Sequence, residues 1–250
     1  MDIAAPSLVP DLDACAILLD VDGTILDLAP TPPEVWVPPS LRQAIARLSE
    51  RTGGAVALVS GRSLNDLDLL FSPLQLPAVG GHGAEFRPRV GGERPCRRTV
   101  ALDAGLKRRL ATVAEIGPGI LIEDKGYSLA LHYRLAPTSE SRIRQAVERI
   151  CAESITPTEI LRGKSVLEVK HKGFNKGSGV RELMRHKPFL NRHPIFIGDD
   201  VTDESVFEII SEFDGLAFSV GRVVEGVNGH FDKPEAVRGW LAHIADGEAQ

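Results

Sequence analysis

The amino-acid sequence predicts an α/β protein: a parallel sheet covered by helices on both faces, interrupted by a smaller α+β insertion. Three observations lead there. Short runs rich in Val, Ile, Leu and Ala recur as AILLD at 16–20, AVALVS at 55–60, PIFIGD at 194–199 and LAFSV at 216–220, continuously apolar as strands buried on both faces are. Between them lie segments with helical spacing of apolar residues, and strands alternating with helices make a doubly covered parallel sheet. The middle of the chain follows another pattern: from about 103 to 170, pairs of short strands are joined by the turn-like Lys125-Gly126 and Gly163-Lys164, which suit hairpins better than helical crossovers.

The elements follow in order. After the first strand, SLRQAIARLSER at 40–51 predicts a helix with Ser40 as its N-cap. The strand at 55–60 comes next, then a helix over SLNDLDLLF from Ser63. Pro88, Gly91, Gly92 and Pro95 mark an entry linker, and the basic RRTV at 97–100, with Arg94 nearby, reads as a solvated strand or loop edge. Within the insertion the expectation is a helix from Asp103 to Ile116, strands at 119–124 and 127–134, a helix from Ser139 to Ser154, and strands at 158–163 and 165–170. Lys172-Gly173 makes the return, followed by the strand at 194–199, a helix over DESVFEIISEF from Asp203, and the strand at 216–220. Residues 1–86 and 171–250 are thus expected to form a Rossmann-like core, and residues 87–170 an inserted domain with an antiparallel sheet and two helices.

Composition narrows the partners. With 250 residues, 43% of them hydrophobic and 25% charged, the chain has the make-up of an ordinary globular protein with a large core. A formal charge of -5 gives no electrostatic reason to expect nucleic acid or an anionic membrane, so any positive charge that binds phosphate must be local. Cys15, Cys96 and Cys151 are odd in number, widely spaced and lack CxxC pairing, which suits a reduced compartment rather than a disulfide framework or zinc. The first residues, MDIAAPSLVPDLDA, carry an early Asp and no Lys or Arg, unlike a secretory signal, and no run is long enough for a membrane helix. A cytoplasmic monomer acting on a small molecule is expected.

Ligands of an open parallel sheet bind beyond the carboxyl ends of its strands. Three predicted strands end there in polar residues: Asp20-Val21-Asp22-Gly23-Thr24, Ser60-Gly61-Arg62 and Gly198-Asp199-Asp200-Val201-Thr202-Asp203. One such ending alone would be an ordinary helix N-cap. Three together, with Lys176-Gly177 further on, point to a site. Carboxylates converging on one sheet edge repel each other unless a cation sits among them. Oxygen ligands without His or Cys favour Mg²⁺ over zinc, and Mg²⁺ is held by few carboxylates together with water and substrate phosphate. Phosphoryl transfer is the chemistry this suggests.

DVDGT at 20–24, Ser60, Lys176 before Gly177, and GDDVTD at 198–203 resemble, in order, the four motifs of the haloacid dehalogenase superfamily. The resemblance implies that Asp20 is the nucleophile that forms an aspartyl-phosphate, and that Asp22 protonates the leaving alcohol and later takes a proton from water. It implies that Ser60 and Lys176 hold the transferring phosphoryl oxygens. Mg²⁺ would be bound by the Asp20 side chain, the Asp22 backbone carbonyl and Asp199, with Asp200 and Asp203 orienting metal waters or Lys176. Thr24 either supports the loop that aims Asp22 or caps its turn. Members that remove halide have no leaving alcohol to protonate and lack the second Asp, so Asp22 argues against dehalogenation. The insertion falls between Ser60 and Lys176, where the larger sheet-containing caps of the superfamily occur, and is expected to act as a specificity cap.

GGHGAE at 80–85, IEDKGYSLALHYR at 122–134, VLEVKHKGFNKG at 166–177 and GDDVTDE at 198–204 narrow the resemblance to the trehalose-6-phosphate phosphatase family, over most of residues 14–245. The chain departs from it at Val169-Lys170, where the family often has Arg-Pro. The implied substrate is trehalose 6-phosphate, with another sugar phosphate, cleaved by a phosphatase or a phosphotransferase, as the alternative. A polyol phosphate needs paired donors and acceptors for its hydroxyls, and Lys125 and Glu168 are the first candidates in the cap, with Glu123 next. For Lys125 the competing expectation is a hairpin tip in solvent, and for Glu168 a salt bridge on the strand face. His82, between glycines beyond a core strand, is a further substrate candidate. His132 alternates with Tyr133 and Arg134 and either touches sugar or braces the cap sheet. Arg62 either touches substrate or begins a helix.

Overall fold

The computed structural model describes residues 9–28, 35–91, 96–97, 101–163 and 165–247. The expectations resting on residues 1–8, on Gly92, Arg94 and Pro95, on 98–100 and on Lys164 lie outside the described residues. In chain order the elements begin with β1 (Cys15–Leu19), α1 (Pro39–Arg51), β2 (Val56–Val59), α2 (Leu64–Phe71), β3 (Ala78–Gly80), β4 (Glu85–Arg87) and β5 (Cys96–Arg97). Next come α3 (Ala104–Ala111), β6 (Leu121–Asp124), β7 (Ser128–His132), α4 (Glu140–Ala152), β8 (Thr158–Gly163) and β9 (Val166–His171). The chain finishes with α5 (Lys176–Leu183), β10 (His193–Gly198), α6 (Glu204–Phe207), β11 (Leu216–Val220), β12 (Gly229–Phe231) and α7 (Pro234–Asp246). Two compact units result, one of Met1–Arg98 with Asn175–Gln250 and one of Thr99–Phe174. The first division falls later than the expected 86/87 because β4 and β5 pair into the large sheet rather than into the insertion, and the second falls at 174/175 rather than 170/171, past the end of β9 at His171.

The first unit is built on an eight-stranded sheet in the order β12-β11-β10-β1-β2-β3-β4-β5. The strands from β12 to β3 run parallel, and β4 and β5 close one edge antiparallel. Its central strands explain the continuous apolar runs. Ile17 and Leu19 of β1, Val56 and Leu58 of β2, and Ile195 and Ile197 of β10 join one core with α1 and α7. Ala16, Leu18, Ala57, Val59 and Phe196, the alternate positions, join another core with α5 and α6. Successive side chains point to opposite faces of a strand, so both faces need apolar residues at every position.

Helix boundaries follow local chemistry. α1 buries Leu41, Ala44, Ile45 and Leu48 at helical spacing. It starts at Pro39, so Ser40 is not its cap as expected; a proline at the first helical position has no amide to satisfy. α2 starts as expected, with Ser63 accepting from the Asp66 amide. The helix expected from Asp203 is only the short α6, followed by a 3₁₀ turn over Ile210–Phe213. Likewise α3 ends at Ala111 and Thr112–Ile116 continue as 3₁₀.

The second unit is a four-stranded antiparallel sheet in the order β6-β7-β9-β8. Leu129, Leu131, Leu167 and Val169 pack against Leu106, Leu110, Ile143, Val147 and Ile150 of α3 and α4. The register places Glu123 opposite Ala130, and Ala130 opposite Glu168, so these share the face away from those helices. Lys170, 1% exposed, donates to Glu159 at 2.6 Å and to the Phe174 carbonyl at 2.5 Å. Its charge is thus paired, as a buried ammonium requires.

Candidate active site

The site grows from the ends of β10, β1 and β2, three adjacent strands of the first unit. Asp20 follows β1, Ser60 follows β2 and Asp199 follows β10, so parallel register alone brings them to one edge. Asp20 is buried. Its Oδ1 accepts from Lys176 Nζ at 2.7 Å and its Oδ2 from Thr24 Oγ1 at 2.8 Å. The Thr24 hydroxyl also lies 3.0 Å from Asp199 Oδ1, so it spans both carboxylates.

Lys176 is the first residue of α5, a helix whose two glycines disguise it in sequence. A reciprocal capping box fixes its start: the Asn175 side chain accepts from the Ser178 amide, and Ser178 Oγ from the Asn175 amide. Lys176 is buried and donates to Asp20 and to Asp203 Oδ1, both at 2.7 Å. Burial would lower its pKa, but Asp20 and Asp203 outweigh that and hold it well above the usual lysine value. Asp203 Oδ2 accepts from the Asp199 and Asp200 amides, each at 3.0 Å. Asp203 therefore orients Lys176 and ties down the loop after β10.

Asp20, Asp199 and Asp203 each bring a carboxylate oxygen within 4.8 Å of the others. Burial first, then the Asp20 charge, pushes the Asp199 carboxyl up to about 8, and the same two causes push Asp203 up to about 7. Such a set is electrostatically incomplete without a proton or a cation among its members, and its hard oxygen donors suit Mg²⁺. The carboxylates of Asp22 and Asp200 lie outside this cluster, where the resemblance implies only the Asp22 backbone carbonyl as a ligand and, for Asp200, the orienting of metal waters or Lys176. Asp200 is exposed and its side chain accepts from the Val201 amide. The Asp22 carboxylate is held by Arg62, whose Nε and Nη2 donate to its two oxygens at 2.6 and 2.7 Å.

Gly23 is required where it stands. Its φ is +86°, and a Cβ there would lie 2.6 Å from the Asp199 Cγ. The tight turn so formed, with the Gly23 amide donating to the Leu26 carbonyl at 2.8 Å, returns Asp22 to the sheet edge. Arg62 precedes α2 rather than beginning it, and its amide donates to Ser60 Oγ at 3.2 Å. His82 lies in the turn after β3, with its amide donating to the Ser60 carbonyl at 3.1 Å.

Arg222 is a residue that sequence reasoning missed. From beyond β11 its Nε donates to the Asp199 carbonyl at 2.8 Å and its Nη1 to Glu204 at 2.9 Å, bracing the loop after β10 from outside. No motif surrounds it; its position two residues past a neighbouring parallel strand was the available signal. A cavity of about 390 Å³ lies beside this loop, lined by Gly23, Asp27, Asp199, Arg222 and Lys233 among others. A larger one of about 700 Å³ in the second unit includes Asp103, Arg109 and Glu153. Those groups are committed to capping α3 and to pairing with each other, so the chemistry favours the first.

The remaining candidates lie in the second unit. Glu168, 8% exposed, accepts from Lys125 Nζ at 2.9 Å and from Ser128 Oγ at 2.6 Å. Lys125 is therefore folded back onto the sheet rather than extended into solvent at a hairpin tip. Glu123 and His132 pair across strands at 2.9 Å and are more exposed. Tyr133 belongs to the core under α3 and α4.

Comparisons with known proteins bear on the family and the fold. A family model described as trehalose-phosphatase matches residues 18–236. A probable trehalose-phosphate phosphatase of Sinorhizobium fredii is 41% identical over 241 residues, covering 96% of this chain and 91% of the relative. The trehalose-6-phosphate phosphatase of Escherichia coli is 38% identical over 214 residues, covering 85% and 80%. Among solved structures, the C-terminal domain of the Candida albicans trehalose-6-phosphate phosphatase superposes with a TM-score of 0.79 at 20% identity, covering 94% of this chain and 92% of that one. That likeness shows the fold: a mostly parallel-sheet core with a separate antiparallel four-stranded α+β unit.

Proposed function

The chain belongs to the trehalose-phosphatase family and is a phosphatase, and from that premise we propose that it hydrolyses trehalose 6-phosphate to trehalose and phosphate, with Mg²⁺, through an aspartyl-phosphate on Asp20. The observation that carries the proposal is the buried Asp20 at the carboxyl edge of the central strand, clustered with Asp199 and Asp203 and ion-paired with Lys176.

In the first step an Asp20 carboxylate oxygen bonds to phosphorus as the bond from phosphorus to the sugar oxygen breaks, and Asp22 gives that oxygen its proton. In the second, Asp22 takes a proton from water as the water oxygen bonds to phosphorus, releasing phosphate and restoring Asp20. Arg62 occupies both Asp22 oxygens, so Asp22 has to give up at least one of these contacts to act. Lys176 and the Ser60 hydroxyl are assigned to the phosphoryl oxygens, the lysine as a charge and the serine as a donor. Asp20, Asp199 and the Asp22 carbonyl would hold Mg²⁺, which when bound offsets the repulsion between the carboxylates and the phosphate. The wide spacing of Cys15, Cys96 and Cys151 favours the cytoplasm as its compartment.

The proposal is tested by phosphate release from a panel of sugar phosphates, with and without a chelator. Fast turnover of trehalose 6-phosphate, lost with EDTA and restored by Mg²⁺, is the expected result; negligible turnover beside fast hydrolysis of another ester would overturn the substrate assignment. Sugar selectivity is assigned to Lys125 and Glu168. Glu168→Gln and Lys125→Met are each expected to raise KM for trehalose 6-phosphate about tenfold, the effect of a lost charged hydrogen bond. Hydrolysis of a sugar-free ester should be unchanged, and steady-state kinetics on both esters read the difference.

A further inference from the structure

Between the Ser60 and Lys176 segments lies a turn whose conformation is costly. Gly81–Gly83 form a single 3₁₀ turn after β3, in which His82 has φ 52° and ψ 35°. Few residues other than glycine adopt this left-handed region, although histidine is among the more tolerant, and such backbone persists only where its surroundings enforce it.

Both sides of the turn are enforced. On one side the His82 amide donates to the Ser60 carbonyl at 3.1 Å and the Gly81 amide to the Arg62 carbonyl at 2.8 Å. The imidazole lies so close over Gly61 that a Cβ there would stand 2.5 Å from its Cε1. On the other side a Cβ on Gly83 would lie 2.7 Å from the Asn175 carbonyl carbon, and one on Gly179 3.3 Å from the Gly83 Cα. Asn175 caps α5, and the next residue is Lys176. Three residues are thus wedged between the chain that carries Ser60 and the helix start that carries Lys176, with no free space at either contact.

We propose that Gly81–Gly83 is a strut that sets the separation of Ser60 and Lys176, and that His82 is a positioning residue rather than a contact to the sugar. This rests on the assignment of Ser60 and Lys176 to the phosphoryl oxygens made above. The imidazole, bearing on Gly61, keeps the Ser60 segment from collapsing toward the turn, while Gly83 lets the Asn175 backbone approach. Two donors that must meet one phosphoryl group gain from being held in advance, since small displacements of such groups slow the reaction steeply.

A strut and a sugar contact differ in what they do to a substrate without sugar. His82→Asn and His82→Gly, both compatible with left-handed backbone, are to be assayed on trehalose 6-phosphate and on 4-nitrophenyl phosphate, with thermal melting to confirm folding. The strut predicts that kcat falls by the same factor on both esters, about 10- to 100-fold, while KM for the sugar ester changes little and inorganic phosphate binds more weakly by calorimetry. Gly61→Ala, which drives a methyl against the ring, should give a similar loss. Combined with His82→Gly, which vacates that space, the two losses should not add. A loss confined to the sugar ester, no loss on either ester, or additive losses in the double variant would each overturn the strut. If the unaltered protein hydrolysed the aryl ester but not trehalose 6-phosphate, the substrate assignment would fall, and the strut would still be decided by the aryl ester and by phosphate binding.

Discussion

Asp20→Asn is expected to lower phosphate release by at least about 10³-fold while leaving the protein folded and, without metal, no less stable. The amide keeps the shape of the carboxylate, and its oxygen still accepts from Lys176 while its nitrogen faces the Thr24 hydroxyl. What it lacks is a nucleophilic oxygen. The stability half follows from repulsion: after burial, the Asp20 charge is the largest cause raising both the Asp199 and Asp203 carboxyls. Removing that charge relieves both. A phosphate-release assay and a thermal melt check the two halves separately, and undiminished turnover would remove Asp20 from the role of nucleophile.

Lys176→Met is expected to cost both activity and stability, with the stability loss depending on pH. The ammonium is shared by two buried carboxylates at 2.7 Å, and breaking a buried pair from one side leaves uncompensated charge worth about 3–5 kcal/mol. The sign follows from Asp203. Its carboxyl stands raised to about 7 by burial and by Asp20 even though Lys176 lowers it, so without the lysine it rises further. The folded variant then retains protons that the unfolded chain releases above about pH 4. Its deficit should accordingly be small near pH 5 and grow as pH rises through 7 to 8. Urea unfolding at pH 5 and pH 8 reads this difference, and an equal deficit at both would contradict it. Turnover should fall about 10²- to 10³-fold, as when a preorganised charge is removed from an oxyanion.

The parts of the fold that local sequence encodes were the parts that sequence made legible. The strands β1, β2, β10 and β11 are apolar at nearly every position because two cores bracket them, and that is visible in a short window. The strands β3, β4, β5 and β12 are two or three residues long, too short to show a period. α5 was hidden by Gly177 and Gly179, small because the Ser205 backbone and the Val79 side chain come close, so packing overrides their poor helix propensity. α7 did carry readable signals, Pro234 at its start and Gly247 in left-handed conformation at its end, and was not identified. The carboxylates of the site were legible because strand ends place them. The grip of Arg62 on Asp22, 40 residues away, and that of Arg222 on the Asp199 carbonyl were not. Contacts that a side chain makes with a distant segment leave no periodic trace in sequence.

The central claim, covalent catalysis by Asp20, is tested most directly by acid-quenching the enzyme within a single turnover of trehalose 6-phosphate and mapping the protein by mass spectrometry. A peptide containing Asp20 should carry the mass of one phosphoryl group at early times and lose it as phosphate appears. Modification of a different residue, or full release of phosphate with the Asp20 peptide unmodified at every time point, would contradict it.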